Sequence, residues 1–259
     1  MRKSHWRSER RVRRLARKKI IYVIVEGPSD DEALGVIFQR LFSDQEIYVE
    51  ITHGDITSDS RTDAAHIVSK VGDLVKAYAK SNHYTRTDFL EVIHIMDTDG
   101  TYISDDHVEE NLEVTNGPKY TLRSIETSRP DLIIARNHRK SSNMNRLQAQ
   151  NKVWTSIPYR AFYMSCNLDH VLHDKLNSTD DDKENDAYHF AMKYKDHLKE
   201  FLTFLCDSDF SVVNDYAKSW DYIREDVHSL ERHSNLGICF KDIRQKFDKD
   251  KEKSNSGMC

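Results

Sequence analysis

The sequence predicts an α/β fold, a mostly parallel sheet flanked by helices with a helical C-terminal extension. Three observations carry this. Ile20-Ile21-Tyr22-Val23-Ile24-Val25 is an unbroken apolar run rich in β-branched residues, the pattern of a strand buried on both faces. Between such runs, apolar residues recur at helical spacing. Strand and helix patterns alternate as β-α-β-α-β, the order of a parallel sheet with crossover helices.

Each element follows from local chemistry. After Val25 the chain turns at Gly27, which permits a sharp bend, and Pro28-Ser29 opens a helix with Ala33, Leu34, Ile37, Phe38 and Leu41 on one face. Ser29 reads as its N-cap, with Glu32 closing a capping box. Ile47–Thr52 alternates as a short strand, and residues 54–62 read as a loop rich in Asp and Ser. Asp63 is a good N-cap for an amphipathic helix carrying Ala64, Ile67, Val68, Val71, Leu74, Val75 and Tyr78. Phe89–Met96 is the next strand. Residues 101–123 look like a loop with a short helix. Leu132-Ile133-Ile134-Ala135 suggests a strand, and a polar stretch follows from Asn137 to Asn145. Tyr159–Met164 reads as a strand and Leu168–Leu176 as a helix. Beyond them, Ala187, Phe190, Ala191, Tyr194, Leu198, Phe201, Leu202 and Leu205 share a helical face, and a last helix covers about Tyr216–Leu230.

Divided this way, the 259 residues comprise a basic arm (1–19), an α/β domain (20–180), a helical extension (181–247) and a flexible tail (248–259). The net charge of -4 hides an asymmetry, because residues 1–19 hold ten Lys/Arg against the single acid Glu9. An arm of that density suits a polyanion such as DNA or RNA, since each neutralised phosphate releases counterions. Its bland alternative is a solvated tail. No apolar stretch approaches the roughly 18–20 residues of a membrane span, and Arg and Lys fill the place where a signal peptide has its apolar core. The four cysteines form no CxxC pair, so a disulfide framework or zinc site is not expected and a cytoplasmic location is.

Three clusters carry candidate chemistry. Glu26 ends the first strand, with Asp30 close behind it. Acids in a first helical turn suit the helix dipole, which accounts for Asp31 and Glu32 but not for a carboxylate at the end of a hydrophobic strand. Asp97-Thr98-Asp99-Gly100 ends the strand Phe89–Met96. Carboxylates at i and i+2 face one side and can share a hard cation, Mg²⁺ or Mn²⁺, with waters and phosphate oxygens completing the shell. An Asx-turn is the alternative. Ser165-Cys166-Asn167-Leu168-Asp169-His170 follows a third strand, where Asn167 and Asp169 supply either ligands or a polar helix cap, with His170 exposed. The basic residues Arg136, His138, Arg139, Lys140 and Arg146 read as a solvated loop able to steer a phosphate backbone.

The apolar strand closing on Glu26-Gly27-x-x-Asp30, followed by one closing on Asp97-x-Asp99-Gly100, resembles the Toprim domain of topoisomerases, primases and OLD-type nucleases. Glu26-Gly27-Pro28-Ser29-Asp30 with Glu32-Ala33-Leu34 looks most like the OLD-type nucleases and the small stand-alone RloB-like Toprim proteins of anti-phage and restriction loci. The resemblance covers about residues 20–175. At the third motif Asp169 stands where Glu is usual. The resemblance implies Glu26 as general acid/base or metal ligand and Asp97 and Asp99 as Mg²⁺ ligands. It also implies Asp30 and Asp169 as holders of a second metal. The expected activity is a metal-dependent nuclease acting on DNA or RNA in phage defence, alone, as a homo-oligomer or with a separate ATPase or defence-system partner. Zinc-ribbon cysteines and a Walker A sequence are absent, which argues against a primase and leaves any ATPase to another chain.

Two rivals stay open. Asp97-Thr98-Asp99-Gly100-Thr101 also resembles the first motif of haloacid-dehalogenase-type phosphatases, with Asp97 as nucleophile and Asp99 as acid/base. That motif normally belongs to the first strand of its domain, and the reading leaves Glu26 without a role. The other rival is a non-catalytic binding module whose acids are only caps.

Overall fold

Strand β1 (Lys19–Val25) lies inside a five-stranded sheet ordered β2-β1-β3-β8-β7, with β2 at Ile47–His53, β3 at Phe89–Asp97, β7 at Lys152–Val153 and β8 at Ile157–Met164. Pairs β1–β2, β1–β3 and β3–β8 are parallel, and only the short edge strand β7 runs against its neighbour. The chain is therefore α/β with a mostly parallel sheet. The structure is a computed structural model and describes residues 19–43, 47–213 and 215–243. The basic arm up to residue 18, the tail from residue 244 and Cys259 lie outside the described residues.

Helices cover both faces: α1 (Pro28–Leu41), α2 (Ile67–Ser81), α3 (Pro130–Gln148), α4 (Leu168–His173), α5 (Asp180–Tyr194), α6 (Leu198–Asp207) and α7 (Tyr216–Tyr222). Because side chains alternate along a strand, β1 feeds two cores. Ile21, Val23 and Val25 pack with α1 and with Ala187, Phe190, Phe201 and Leu205 of α5 and α6. Ile20, Tyr22 and Ile24 pack with Val71 and Val75 of α2, Met144 and Leu147 of α3, and Trp220 of α7. The C-terminal helices thus share the cores of the sheet. Among the described residues no helix is long and apolar enough to cross a membrane.

The strand order fixes where a ligand belongs. From β1 the chain goes outward to β2, then returns to place β3 on the other side of β1. The direction of winding reverses between β1 and β3, and open α/β sheets hold ligands in the crevice at the C-terminal ends of such strands.

Several local readings change. Leu132–Ala135 is not a strand, nor are residues 137–145 a loop: both belong to α3, which has Pro130 in its first turn. Its buried stripe is Ile133, Asn137, Lys140, Asn143, Met144 and Leu147, so half of the helical period is written in polar residues. Residues 101–123 hold a 3₁₀ turn (Asp105–His107) and most of a second sheet, ordered β4-β6-β5 (β4 Val108–Glu110, β5 Lys119–Tyr120, β6 Ile125–Thr127). Asp63 accepts from the Ala65 and His66 N–H groups at 3.1 Å in an Asx-turn, and α2 starts only at Ile67. The run Asp180-Asp181-Asp182 is the first turn of α5, where the Thr179 hydroxyl caps the Asp182 N–H. α7 stops at Tyr222, and the chain then turns back to the rim of the sheet.

Candidate metal and phosphate site

The capping of α1 differs from the sequence reading in a way that bears on the site. Gly27, not Ser29, is the N-cap, and its N–H donates to the Asp30 carboxylate at 2.9 Å. Asp30 therefore turns back toward the strand end and is buried. Glu26, one residue past β1, projects over the neighbouring strand. Its Oε1 accepts from the Asp97 N–H at 3.1 Å, from the Thr57 hydroxyl at 3.3 Å and from Lys140 Nζ at 3.2 Å. Lys140 Nζ also donates to Asp99 Oδ2 at 2.5 Å. The ends of β1 and β3 are joined by one ammonium.

The turn carrying Asp97 and Asp99 is held from behind. Asp99 has φ 48° and Gly100 φ 66°, both left-handed; Asp tolerates that region better than most residues and Gly does so freely. The Thr98 N–H donates to Met164 O at 2.9 Å and the Asp99 N–H to Cys166 O at 2.7 Å. The Thr98 hydroxyl donates to Ser229 O at 2.7 Å and accepts from the Cys166 N–H at 2.8 Å. The segment after α7 completes the support: the Cys166 N–H reaches Ser229 O at 3.0 Å and the Ser165 N–H reaches His233 O at 2.8 Å. A Cβ on Gly100 would sit 2.5 Å from Leu230 Cδ2.

Burial and mutual repulsion dominate the electrostatics. Burial pushes Glu26 up to about 8, with Lys140 opposing and Asp99, Asp55 and Asp30 adding to the rise. Asp30 rises to about 6 through burial, opposed by the Gly27 N–H and reinforced by Asp169. Asp97 is raised well above the ordinary carboxylate range by burial, then by Glu26, Asp30 and Asp99. Burial would raise Asp99 too, but Lys140 and Arg136 outweigh it and hold Asp99 low. The Asp97 carboxylate has no hydrogen-bond donor or ion-pair partner among the described residues.

The sequence-predicted acids thus fall into a connected set. Glu26, Asp97 and Asp99 meet at the crevice, Asp30 stands close enough to raise Glu26 and Asp97, and Asp169, buried in the first turn of α4, raises Asp30 in turn. Asn167 caps α4 by accepting from the His170 N–H at 2.9 Å. His170 is buried rather than exposed, and burial pushes its pKa down to about 4.

Sequence reasoning misplaced two participants, Lys140 and Arg136, and missed a third, Thr57. Lys140, placed in a solvated loop by its composition, is 0% exposed on α3. Arg136, one turn earlier, donates to Asp99 O and to the Tyr120 hydroxyl, each at 2.8 Å. Thr57 comes from the loop after β2. Position 140 falls in register with Ile133, Met144 and Leu147, and a lysine on a buried stripe demands a carboxylate partner. That was the available signal.

Whether these residues suit a divalent cation depends on the coordination asked of them. Among the described residues no three His, Cys, Asp or Glu side chains form a ready cage, and Lys140 stands between Glu26 and Asp99. Mg²⁺, however, is normally held by one or two carboxylates plus water and substrate phosphate. An all-oxygen rim with Asp97 unpartnered and three further acids around it has the donors and the excess negative charge for that kind of site. Comparison with known proteins gives no match: no family model fits the chain, and no curated protein or solved structure is similar to it.

Proposed function

We propose that the chain is a Mg²⁺- or Mn²⁺-dependent nuclease of the Toprim type, hydrolysing nucleic-acid phosphodiesters at the crevice between β1 and β3. The observation that carries this is the Asp97 carboxylate, half-buried without a donor among Glu26, Asp30 and Asp99. Removing such groups from water without compensation is costly, and a cation supplies the compensation. Asp97 and Asp30 would hold it, since Asp99 is already neutralised by Lys140. When bound, the ion screens the phosphate charge and makes its water more acidic.

The remaining work belongs to this chain. Burial raises Glu26 above the ordinary carboxylate range, toward the operating pH at which a carboxyl group exchanges protons with a reacting water. As a water oxygen attacks phosphorus, Glu26 accepts its proton; the bond to the leaving oxygen breaks, that oxygen takes a proton from solvent, and Glu26 returns its own to solvent. Lys140, buried between them, fixes Glu26 relative to Asp99. A reducing cytoplasm suits the buried, unbridged thiols of Cys166 and Cys239.

The test is cleavage of plasmid, single-stranded DNA and RNA with Mg²⁺ or Mn²⁺, run alongside Glu26→Gln and Asp97→Asn. The proposal expects metal-dependent cutting that both substitutions abolish. Retained cutting in either variant would refute it. Binding without cutting would favour the non-catalytic module. A phosphorylated Asp97, with indifference to Glu26→Gln, would point to the phosphatase chemistry.

A further inference from the structure

A cavity of about 330 Å³ opens between the β4–β5 loop and the turn joining α4 to α5, lined in part by Asn116, Lys119, Tyr120, Asn167, Ser178 and Lys183. Its walls are tied together: Asn177 donates to Tyr120 O and accepts from the Tyr120 N–H, each at 2.8 Å. The wall is also wired to the crevice. The Tyr120 hydroxyl accepts from Arg136, whose other amino group holds Asp99 O. On the opposite wall, Asn167 opens the helix that carries Asp169.

The lining is cationic and under-used. Lys183 makes no ion pair within 4.0 Å among the described residues, while its charge reaches Asp30, Asp99 and Asp169. Lys119 has only a loose 3.4 Å contact with Glu126 at the surface. Ser178 Oγ is buried with no hydrogen-bond partner among the described residues. Lys183 and Lys119 therefore line the cavity with bonding capacity left over. The volume is at the small end of the range for ligand cavities, about 300–1,000 Å³, which suits one nucleotide and excludes a duplex.

We infer that this cavity seats the nucleotide next to the scissile phosphodiester, with Lys183 and Lys119 on its phosphate, so that the substrate enters as a single strand. The inference rests on the nuclease reading and adds to it the strandedness of the substrate and the side from which it approaches the crevice.

The experiment is fluorescence anisotropy of a short fluorescein-labelled single strand, in DNA and RNA forms, with Ca²⁺ present and salt varied. A matched duplex is the comparison. Lys183→Ala is expected to raise Kd roughly tenfold, the effect of about one charge-assisted contact. It is also expected to flatten the log Kd against log salt slope by about 0.7 per lost phosphate contact. Asn116→Trp, at an exposed position on the cavity mouth, removes no charge; it should weaken binding by volume alone and leave the slope unchanged. Thermal melts establish that each variant folds. Unchanged binding in Lys183→Ala and Lys119→Ala overturns the inference, as does a wild-type protein that ignores single strands or prefers the duplex. If the wild type cuts nucleic acid while these variants bind normally, the cavity falls and the nuclease stands. If strand binding depends on Lys183 but nothing is cut under Mg²⁺ or Mn²⁺, the cavity stands and the nuclease falls.

Discussion

Replacing Lys140 with methionine probes the site without touching its carboxylates. The ammonium is buried and holds Glu26 and Asp99 at once. Methionine fills the same volume and leaves both acids without it. Breaking a buried pair from one side typically costs about 3–5 kcal/mol, but an acid can escape by taking up a proton. For Asp99, starting from an ordinary value of 3.8, that escape costs about 1.4 kcal/mol per pH unit. It limits the penalty to roughly 2 kcal/mol at pH 5.5 and leaves the full 3–5 kcal/mol exposed at pH 8. Urea denaturation followed by circular dichroism at the two pH values reads the difference directly. Adding Glu26→Gln and Asp99→Asn to Lys140→Met should restore most of the stability, because the acids that needed the lysine are gone. A loss below about 1 kcal/mol at pH 8, or one of equal size at both pH values, would refute a lysine that neutralises buried carboxylates.

The packing around the crevice makes two more positions testable. Burial lowers His94 to about 3, with Lys140 a smaller cause, and its Nδ1 lies 2.9 Å from the Tyr159 hydroxyl. An imidazole neutral in the fold but not in the unfolded chain costs nothing above pH 6.5 and withdraws stability as pH falls from there toward 3. At pH 5 this amounts to about 2 kcal/mol, so the stability gap between wild type and His94→Gln should narrow by that much between pH 7.5 and 5. A constant gap would contradict it. Gly100→Ala meets both a left-handed backbone and Leu230 Cδ2 at 2.5 Å. It should lose about 1–3 kcal/mol in thermal or urea melts, and a variant as stable as wild type would show the turn to be less constrained than described.

How much of this was legible in the sequence depended on where each residue's partner lay. Strands β1, β3 and β8 announced themselves because a strand buried on both faces has only apolar residues to offer. Glu26, Asp97 and Asp99 stood out because acids closing such strands have no reason in packing to be there. Lys140 was hidden by the composition of α3, whose buried stripe mixes Asn137, Lys140 and Asn143 with Ile133, Met144 and Leu147; a hydropathy pattern cannot register a side chain buried for its charge. The support behind the Asp97–Gly100 turn was illegible for another reason. It is made largely by the carbonyls of His228, Ser229, Glu231 and His233, and a backbone carbonyl leaves no trace in residue identity. The small sheet β4-β6-β5 was lost because strands of two or three residues carry no measurable period.

The most direct test is a crystal of the wild-type protein soaked in manganese and measured at the metal's absorption edge. We predict an anomalous peak at the carboxyl ends of β1 and β3, about 2.0–2.6 Å from an Asp97 oxygen, with a second oxygen from Asp30. A crevice without metal, with Asp97 left bare at saturating manganese, would contradict it.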